Sequence, residues 1–268
     1  MADVPVGPEI IVLPDAASFV AAAAERVSRR CADAIEERGE CAIALTGGDT
    51  PRPIYARLAR EPYRSRLPWD RVRVFWGDER CVPPEDPRSN FRMAQDTLLQ
   101  HVPIPPSRVH RMPAERADLV AAALDYAEEL SAHLPPGDGG VPRFDLVLLG
   151  MGEDGHIASL FPGAPALRET RRTVVAYYVP QVTMNRMTLT VPVLTHAAEV
   201  CVLVSGAQKA DAVWWALEGP PEPERVPAQL LRRSGGRVVW LVDAAAASRL
   251  SDRPPSGAAP PEGREAGG

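Results

Sequence analysis

Apolar and polar positions along this chain follow two rhythms that take turns. Short, mostly uncharged runs at Cys41–Leu45, 144–149, Val200–Val204 and Val238–Val242 read as buried strands, as does Val72–Trp76 with Arg73 as its exception. Val174–Tyr178 and Met187–Val191 also fit strands. Between these runs, apolar residues recur at helical spacing. Asp15 is a natural cap for a helix to about Arg38, with Val20, Val27, Cys31 and Ile35 on one face and Gly39 as its end. Thr50 as cap and Pro51 as first helical residue open another, turning Ile54, Tyr55 and Leu58 inward. Ser89-Asn90 opens a helix through Leu99. Residues 113–134 form an amphipathic helix with Leu119, Ala123, Tyr126 and Leu130 on one face. Residues 207–217 form a further helix, and a short alanine-rich one follows Val242.

Strand and helix in alternation predict an α/β fold: a largely parallel, Rossmann-like open sheet with helices on both faces. Residues 1–250 read as a single domain, and 251–268, rich in Pro, Gly and Ala, as a disordered tail. In such sheets ligands bind outside the carboxyl ends of the strands. Four strand ends here carry polar, glycine-containing loops: Thr46–Thr50, Gly77–Arg80, Gly150–His156 and Ser205–Lys209.

Each loop suits a particular chemistry. Gly47 and Gly48 let backbone approach a ligand, and a helix starting at Thr50–Pro51 offers free N–H groups to an anion. The same residues also suit an ordinary strand-to-helix turn. Asp78, Glu79 and Arg80 fit either a structural ion-pair knot or a site where Arg80 meets an anion and Asp78 handles or orients a proton. The run Gly150–Gly155 matches the dinucleotide fingerprint GxGxxG, but Pro162-Gly163 follows too soon for a long helix. His156 directly after the third glycine fits a catalytic turn better, since its imidazole titrates near neutrality.

Composition narrows the picture. The 268 residues carry a formal charge of −5, which argues against a general nucleic-acid binder. No apolar run approaches a membrane span, and MADVPVGPEI lacks the regions of a signal peptide, so a cytoplasmic protein is expected. Cys31, Cys41, Cys81 and Cys201 are spaced for buried thiols. His101, His110, His133 and His196 show no partner spacing and are expected to be solvated; neither HExxH nor CxxC points to a metal. Lys209 is the only lysine among 30 basic residues, a compact point charge in a chain that otherwise uses arginine.

Five segments in order, LTGGDTPRPIY at 45–55, WGDERCVPPEDPRSNFRMA at 76–94, DLVLLGMGEDGHIASLFPG at 145–163, NRMTLTVPVL at 185–194 and SGAQKADAV at 205–213, resemble the 6-phosphogluconolactonases. The wider group includes the glucosamine-6-phosphate deaminases. Arg80 and Ser159-Leu160-Phe161 stand where the deaminases carry a tyrosine-like aromatic and Phe-Asn-Glu, which favours the lactonase branch. Asp49 and Ile157 stand where serine and threonine are common.

The resemblance implies hydrolysis of 6-phospho-D-glucono-1,5-lactone without metal or organic cofactor. The implied partner is a small phosphosugar lactone, with no nucleic acid or membrane, acting on a monomer or small homo-oligomer. His156 is then the group that takes a proton from water and returns it to the ring oxygen. Asp78 or Asp154 orients the imidazole, and Arg80 or glycine-turn N–H groups face the oxyanion. Thr46, Gly47, Gly48, Thr50, Arg186 and Lys209 hold the phosphate. A deaminase or isomerase, a non-catalytic sugar-phosphate sensor and a nucleotide-dependent oxidoreductase are the competing readings.

Overall fold

The computed structural model describes residues 7–251, so the expected tail lies, apart from Ser251, outside the described residues. In chain order the elements are β1 (Glu9–Leu13), α1 (Ala16–Arg38), β2 (Cys41–Leu45), α2 (Arg52–Leu58), α3 (Tyr63–Arg66), β3 (Val72–Trp76), β4 (Asp78–Arg80), α4 (Asn90–Thr97), α5 (Leu119–His133), β5 (Leu146–Gly150), β6 (Val174–Val179), β7 (Met184–Leu189), α6 (Val191–His196), β8 (Glu199–Val204), α7 (Ala210–Leu217) and β9 (Arg237–Asp243). Six strands form a sheet in the order β1-β9-β8-β5-β2-β3, and every pairing in it is parallel. Its middle strands β2 and β8 are buried at every position, as near-continuous apolar runs require when helices flank the sheet. The α/β expectation therefore holds.

Local chemistry sets the long helix. The Asp15 carboxylate accepts the Ser18 N–H at 2.7 Å, and Gly39 closes α1 in the left-handed region with its N–H on the Ile35 carbonyl. From β2 the chain moves outward to β3; from β5 it moves the other way through β8 to β9. The winding reverses between β2 and β5, and that is where the crevice of an open sheet lies.

Several expectations need correction. β1 was not foreseen; EIIVL pairs with β9 at the sheet edge, and its half-exposed positions blur the apolar signal. β4, β7 and β6 form a separate three-stranded antiparallel sheet, so the 174–178 and 187–191 segments do not extend the parallel one, and Gly77–Arg80 is partly strand. Pro51, not Thr50, occupies the cap position of α2, and no side chain caps that helix. α5 starts at Leu119 because Asp118 accepts the N–H groups of Val120 and Ala121. α4 stops at Thr97, the 207–217 helix begins as a 3-10 turn over Ala207–Lys209, and Ala244–Arg249 forms turns. Cys31, Cys41 and Cys201 are buried thiols as expected, while Cys81 is half-buried.

Candidate functional site

Four adjacent strands of the large sheet, β8, β5, β2 and β3, end side by side. Their loops surround one cleft of about 440 Å³. Thr46, Gly47, Gly48, Thr50, Asp78, Arg80, His156, Arg186 and Lys209 all line it, so the four sequence-distant loops do meet. Asp154 does not line the cleft; it stands behind His156.

The glycines after β5 build a tight turn rather than a cofactor loop. Gly152 donates its N–H to the His156 carbonyl (2.9 Å), Gly155 donates to the Gly152 carbonyl (3.1 Å), and Gly155 takes φ +79. No helix follows; the next helical piece is a 3-10 turn over Pro165–Arg168. This removes the dinucleotide reading of Gly150–Gly155. A Cβ on Gly152 would overlap the His156 ring and the Asp154 carboxylate, so the backbone here approaches closely enough to need glycine. His156 Nδ1 lies 2.6 Å from Asp154 Oδ1, which also accepts the His156 backbone N–H (3.1 Å). Phe161 stacks on the imidazole with ring centroids 4.1 Å apart. Burial works against charge on Asp154, yet the His156 hydrogen bond and charge prevail and hold its carboxyl below the ordinary value.

The loop after β2 is tied to its neighbours. Tyr55 exchanges hydrogen bonds with the Thr46 backbone, and the Thr46 hydroxyl accepts the Gly150 N–H at 3.4 Å. Gly48 adopts φ +99, and Gly47 lies against the Asn90 carboxamide with no room for a Cβ. Helix α2 has only seven residues, so the loop backbone itself is the more prominent donor surface.

Asp78, Glu79 and Arg80 do not form the ion-pair knot. Buried Glu79 accepts backbone N–H groups from Arg80, Asn90 and Phe91 and the Ser89 hydroxyl, at 2.7–3.0 Å, and thereby fastens the start of α4. Burial raises its carboxyl above the ordinary value despite those donors. Asp78 accepts the Ser159 hydroxyl at 2.7 Å and the Asn90 amide at 3.3 Å, and does not reach His156. Between the two candidates for orienting the imidazole, only Asp154 touches it.

Arg80 on β4 sits directly opposite Arg186 on β7. Like charges across a rung repel, and among the described residues no carboxylate lies within 4.0 Å of either guanidinium or of the Lys209 ammonium. Both arginines bury an Nε with no hydrogen-bond partner. Burial lowers the Arg186 pKa from its ordinary value, opposed by Asp78. Arg80 Nη1 donates to the Arg88 carbonyl at 2.5 Å, and the three cations, with no carboxylate partner, face one cleft in an arrangement suited to an anion. Asp49 is exposed on the rim of the same cleft.

Sequence reasoning missed Asn90, Ser159 and Gln208, which also line the cleft. Asn90 was legible only as a helix start and Ser159 only as a departure from the deaminase pattern. It also misjudged two histidines. His110 is buried, and with Glu129 and His133 it forms a cluster outside the cleft, so two of the four histidines expected in solvent are packed together.

The family described as glucosamine-6-phosphate isomerases/6-phosphogluconolactonase matches residues 14–240. The chain belongs to this family. Within it, the chain is 42% identical to the 6-phosphogluconolactonase of Streptomyces coelicolor over 249 residues, covering 91% of this chain and 95% of that protein. It is 42% identical to the Mycobacterium tuberculosis 6-phosphogluconolactonase over 248 residues, with 90% and 98% covered. The Trypanosoma brucei 6-phosphogluconolactonase structure superposes with a TM-score of 0.82 at 32% identity, covering 91% of this chain and 99% of that one. A monomeric glucosamine-6-phosphate deaminase of the same superfamily gives 0.75 at 26% identity, with 90% and 99% covered. No helix among the described residues is long and apolar enough to cross a membrane.

Proposed function

We propose that the cleft hydrolyses 6-phospho-D-glucono-1,5-lactone to 6-phospho-D-gluconate, with His156 transferring the protons. The activity rests on family membership and on relatives of about 40% identity that carry this name. The observation that carries the mechanism is the pairing, in one cleft, of an Asp154-backed imidazole with three cations that have no carboxylate partner.

His156 Nδ1 is engaged by Asp154, which leaves Nε2 as the basic nitrogen. It takes a proton from water as the water oxygen bonds to the lactone carbonyl carbon. The resulting oxyanion is met by Arg80 or by N–H groups of the glycine turns. When the bond from that carbon to the ring oxygen breaks, His156 returns the proton to the departing oxygen. Asp154 fixes the ring through its contact with Nδ1. The phosphate at the far end is held by Arg186, Lys209 and the Thr46, Gly47, Gly48 and Thr50 loop, so binding energy distant from the ester orients the carbonyl.

A lactonase assay with chelator present, on phosphorylated and unphosphorylated gluconolactone, tests this reading. Faster turnover of the phosphorylated substrate, and its loss in His156→Ala, is the expected result. Ammonia release from glucosamine 6-phosphate with no lactone hydrolysis would overturn it.

A further inference from the structure

Outside the cleft, at the edge of the large sheet, three metal-ligating side chains converge. We propose that His110, Glu129 and His133 form a zinc-class cation site that clamps α5 to the strand edge beside β3. Their ligand atoms all lie within 4.8 Å of one another, and among the described residues theirs is the one such group of His, Cys, Asp and Glu.

The spacing admits an ion in place of a hydrogen-bond cluster. Both imidazoles approach the same carboxylate oxygen, Glu129 Oε1: His110 Nδ1 at 2.6 Å and His133 Nε2 at 3.4 Å. A tetrahedral ion with zinc–nitrogen bonds of about 2.0–2.1 Å sets its ligand atoms roughly 3.3 Å apart. The present spacing straddles that value. Glu129 and His133 stand one helical turn apart on α5 and are partly open to solvent, so an ion can enter and Glu129 can withdraw slightly to admit it.

His110 is fixed in advance. Its backbone N–H bonds the Val74 carbonyl (2.8 Å), and its ring stacks on Phe75 with centroids 4.5 Å apart and 12° between planes. Its other nitrogen, Nε2, is buried without a partner. With Nδ1 as the ligand atom, Nε2 carries the proton and stays unpaired with or without an ion, so the case for the ion rests on the convergence of the three ligand atoms. Two imidazoles and a carboxylate suit zinc and its first-row neighbours rather than magnesium or calcium, and the exposed side leaves a fourth position for water.

One group opposes the ion. Arg73 Nη1 lies 3.2 Å from His133 Nδ1. When His133 ligates through Nε2, Nδ1 carries the proton and this contact is given up. Arg73 remains held through Nε on Glu40 (3.0 Å), which Arg108 also reaches at 2.8 Å. The site therefore binds more tightly once Arg73 is shortened.

The consequence of occupancy is a cross-link at the strand edge that leads to the cleft. Tyr126, also on α5, already donates to the His110 carbonyl (3.2 Å) and accepts the Trp76 N–H (3.0 Å), two residues before Asp78. An ion on His110, Glu129 and His133 reinforces that same junction.

The test is a titration of chelator-stripped protein with cobalt(II) chloride, followed by zinc chloride in thermal melts. The expected result is one equivalent of cobalt with the visible absorption of a tetrahedral site. Zinc a hundredfold above its Kd should raise Tm by about 5 °C. His133→Ala and the isosteric Glu129→Gln, both at the solvent side, should weaken cobalt binding at least about tenfold and abolish the zinc-dependent rise while keeping the wild-type circular dichroism. Arg73→Ala should tighten it. No tetrahedral cobalt signal in the wild type, unchanged affinity in both α5 variants, or loss of the signal in His156→Ala instead, would overturn the proposal. None of these readouts depends on lactone turnover, so it stands or falls separately from the proposed catalysis.

Discussion

Replacing Gly152 by alanine tests the catalytic turn without removing any functional group. The added methyl would occupy space taken by the His156 ring and the Asp154 carboxylate. The imidazole cannot yield toward Phe161, which already stacks on it at 4.1 Å. It must therefore tilt away from the Asp154 carboxylate, losing a contact now 2.6 Å long, or swing toward solvent. A displacement of about 1 Å in a group that transfers protons costs on the order of a hundredfold, or about 2.7 kcal/mol of barrier. Steady-state kinetics should thus show kcat down about a hundredfold. KM should stay within about threefold, because the cations proposed to hold the phosphate lie on other elements. Gly235→Ala serves as the control: its Cβ would meet only the Thr195 carbonyl at 4.0 Å, an ordinary contact, and activity should be unchanged. Wild-type kcat in Gly152→Ala would refute the claim that this turn sets the position of the imidazole.

Four further outcomes follow from the same geometry. Lys209→Ala should raise KM for the phosphorylated lactone at least about tenfold with kcat nearly intact, as loss of a charge-assisted contact worth about 1.5–3 kcal/mol dictates; an unchanged KM in steady-state assays removes the phosphate assignment. Inorganic phosphate should raise the melting temperature of the wild type, and Arg186→Ala should lose most of that rise, because the Arg80–Arg186 rung has no carboxylate to relieve its repulsion. Glu79→Ala leaves four donors, two of them fully buried, without their acceptor and should cost about 3 kcal/mol or more in urea denaturation. Asp154 has a carboxyl held below its ordinary value of 3.8, so its stabilising effect is complete above that value and fades as pH falls through the lowered one. The melting-temperature gap between wild type and Asp154→Asn should accordingly close on acidification below about pH 4.

Much of the fold was readable in the chain because its periodicities are clean. The CAIAL and EVCVLV runs have no polar face to confuse them, and Asp15 and Gly39 bracket α1 at both ends. What escaped depended on tertiary pairing. EIIVL is too exposed to look like a strand until β9 lies beside it. The β6–β7 hairpin reads locally like any other pair of strands, and nothing in its pattern announces a second sheet. The cleft was legible in outline because each contributing residue sits within a few positions of a strand end. Asn90 and Ser159 were not, since they reach the cleft from a helix start and from beyond the His156 turn. The histidine cluster lay deeper still: His110 and Glu129 are 19 residues apart, and only the folding of α5 against the sheet edge brings them within hydrogen-bond reach.

Arg80 and Arg186 stand on the small antiparallel sheet, while His156, Lys209 and the Thr46–Thr50 loop follow strands of the large parallel one, so two structural layers supply the lining of one cleft. The two are joined through the shared core, which takes in Val174, Met187 and Leu189, and through hydrogen bonds from the Ser159 hydroxyl to Asp78 at the start of β4 and from the Tyr177 hydroxyl of β6 to the Ser159 carbonyl. Such a design lets the two arginines of the small sheet change without moving the turn that holds His156 against Asp154. A scaffold partitioned in this way is open to new substrates by altering only its smaller part.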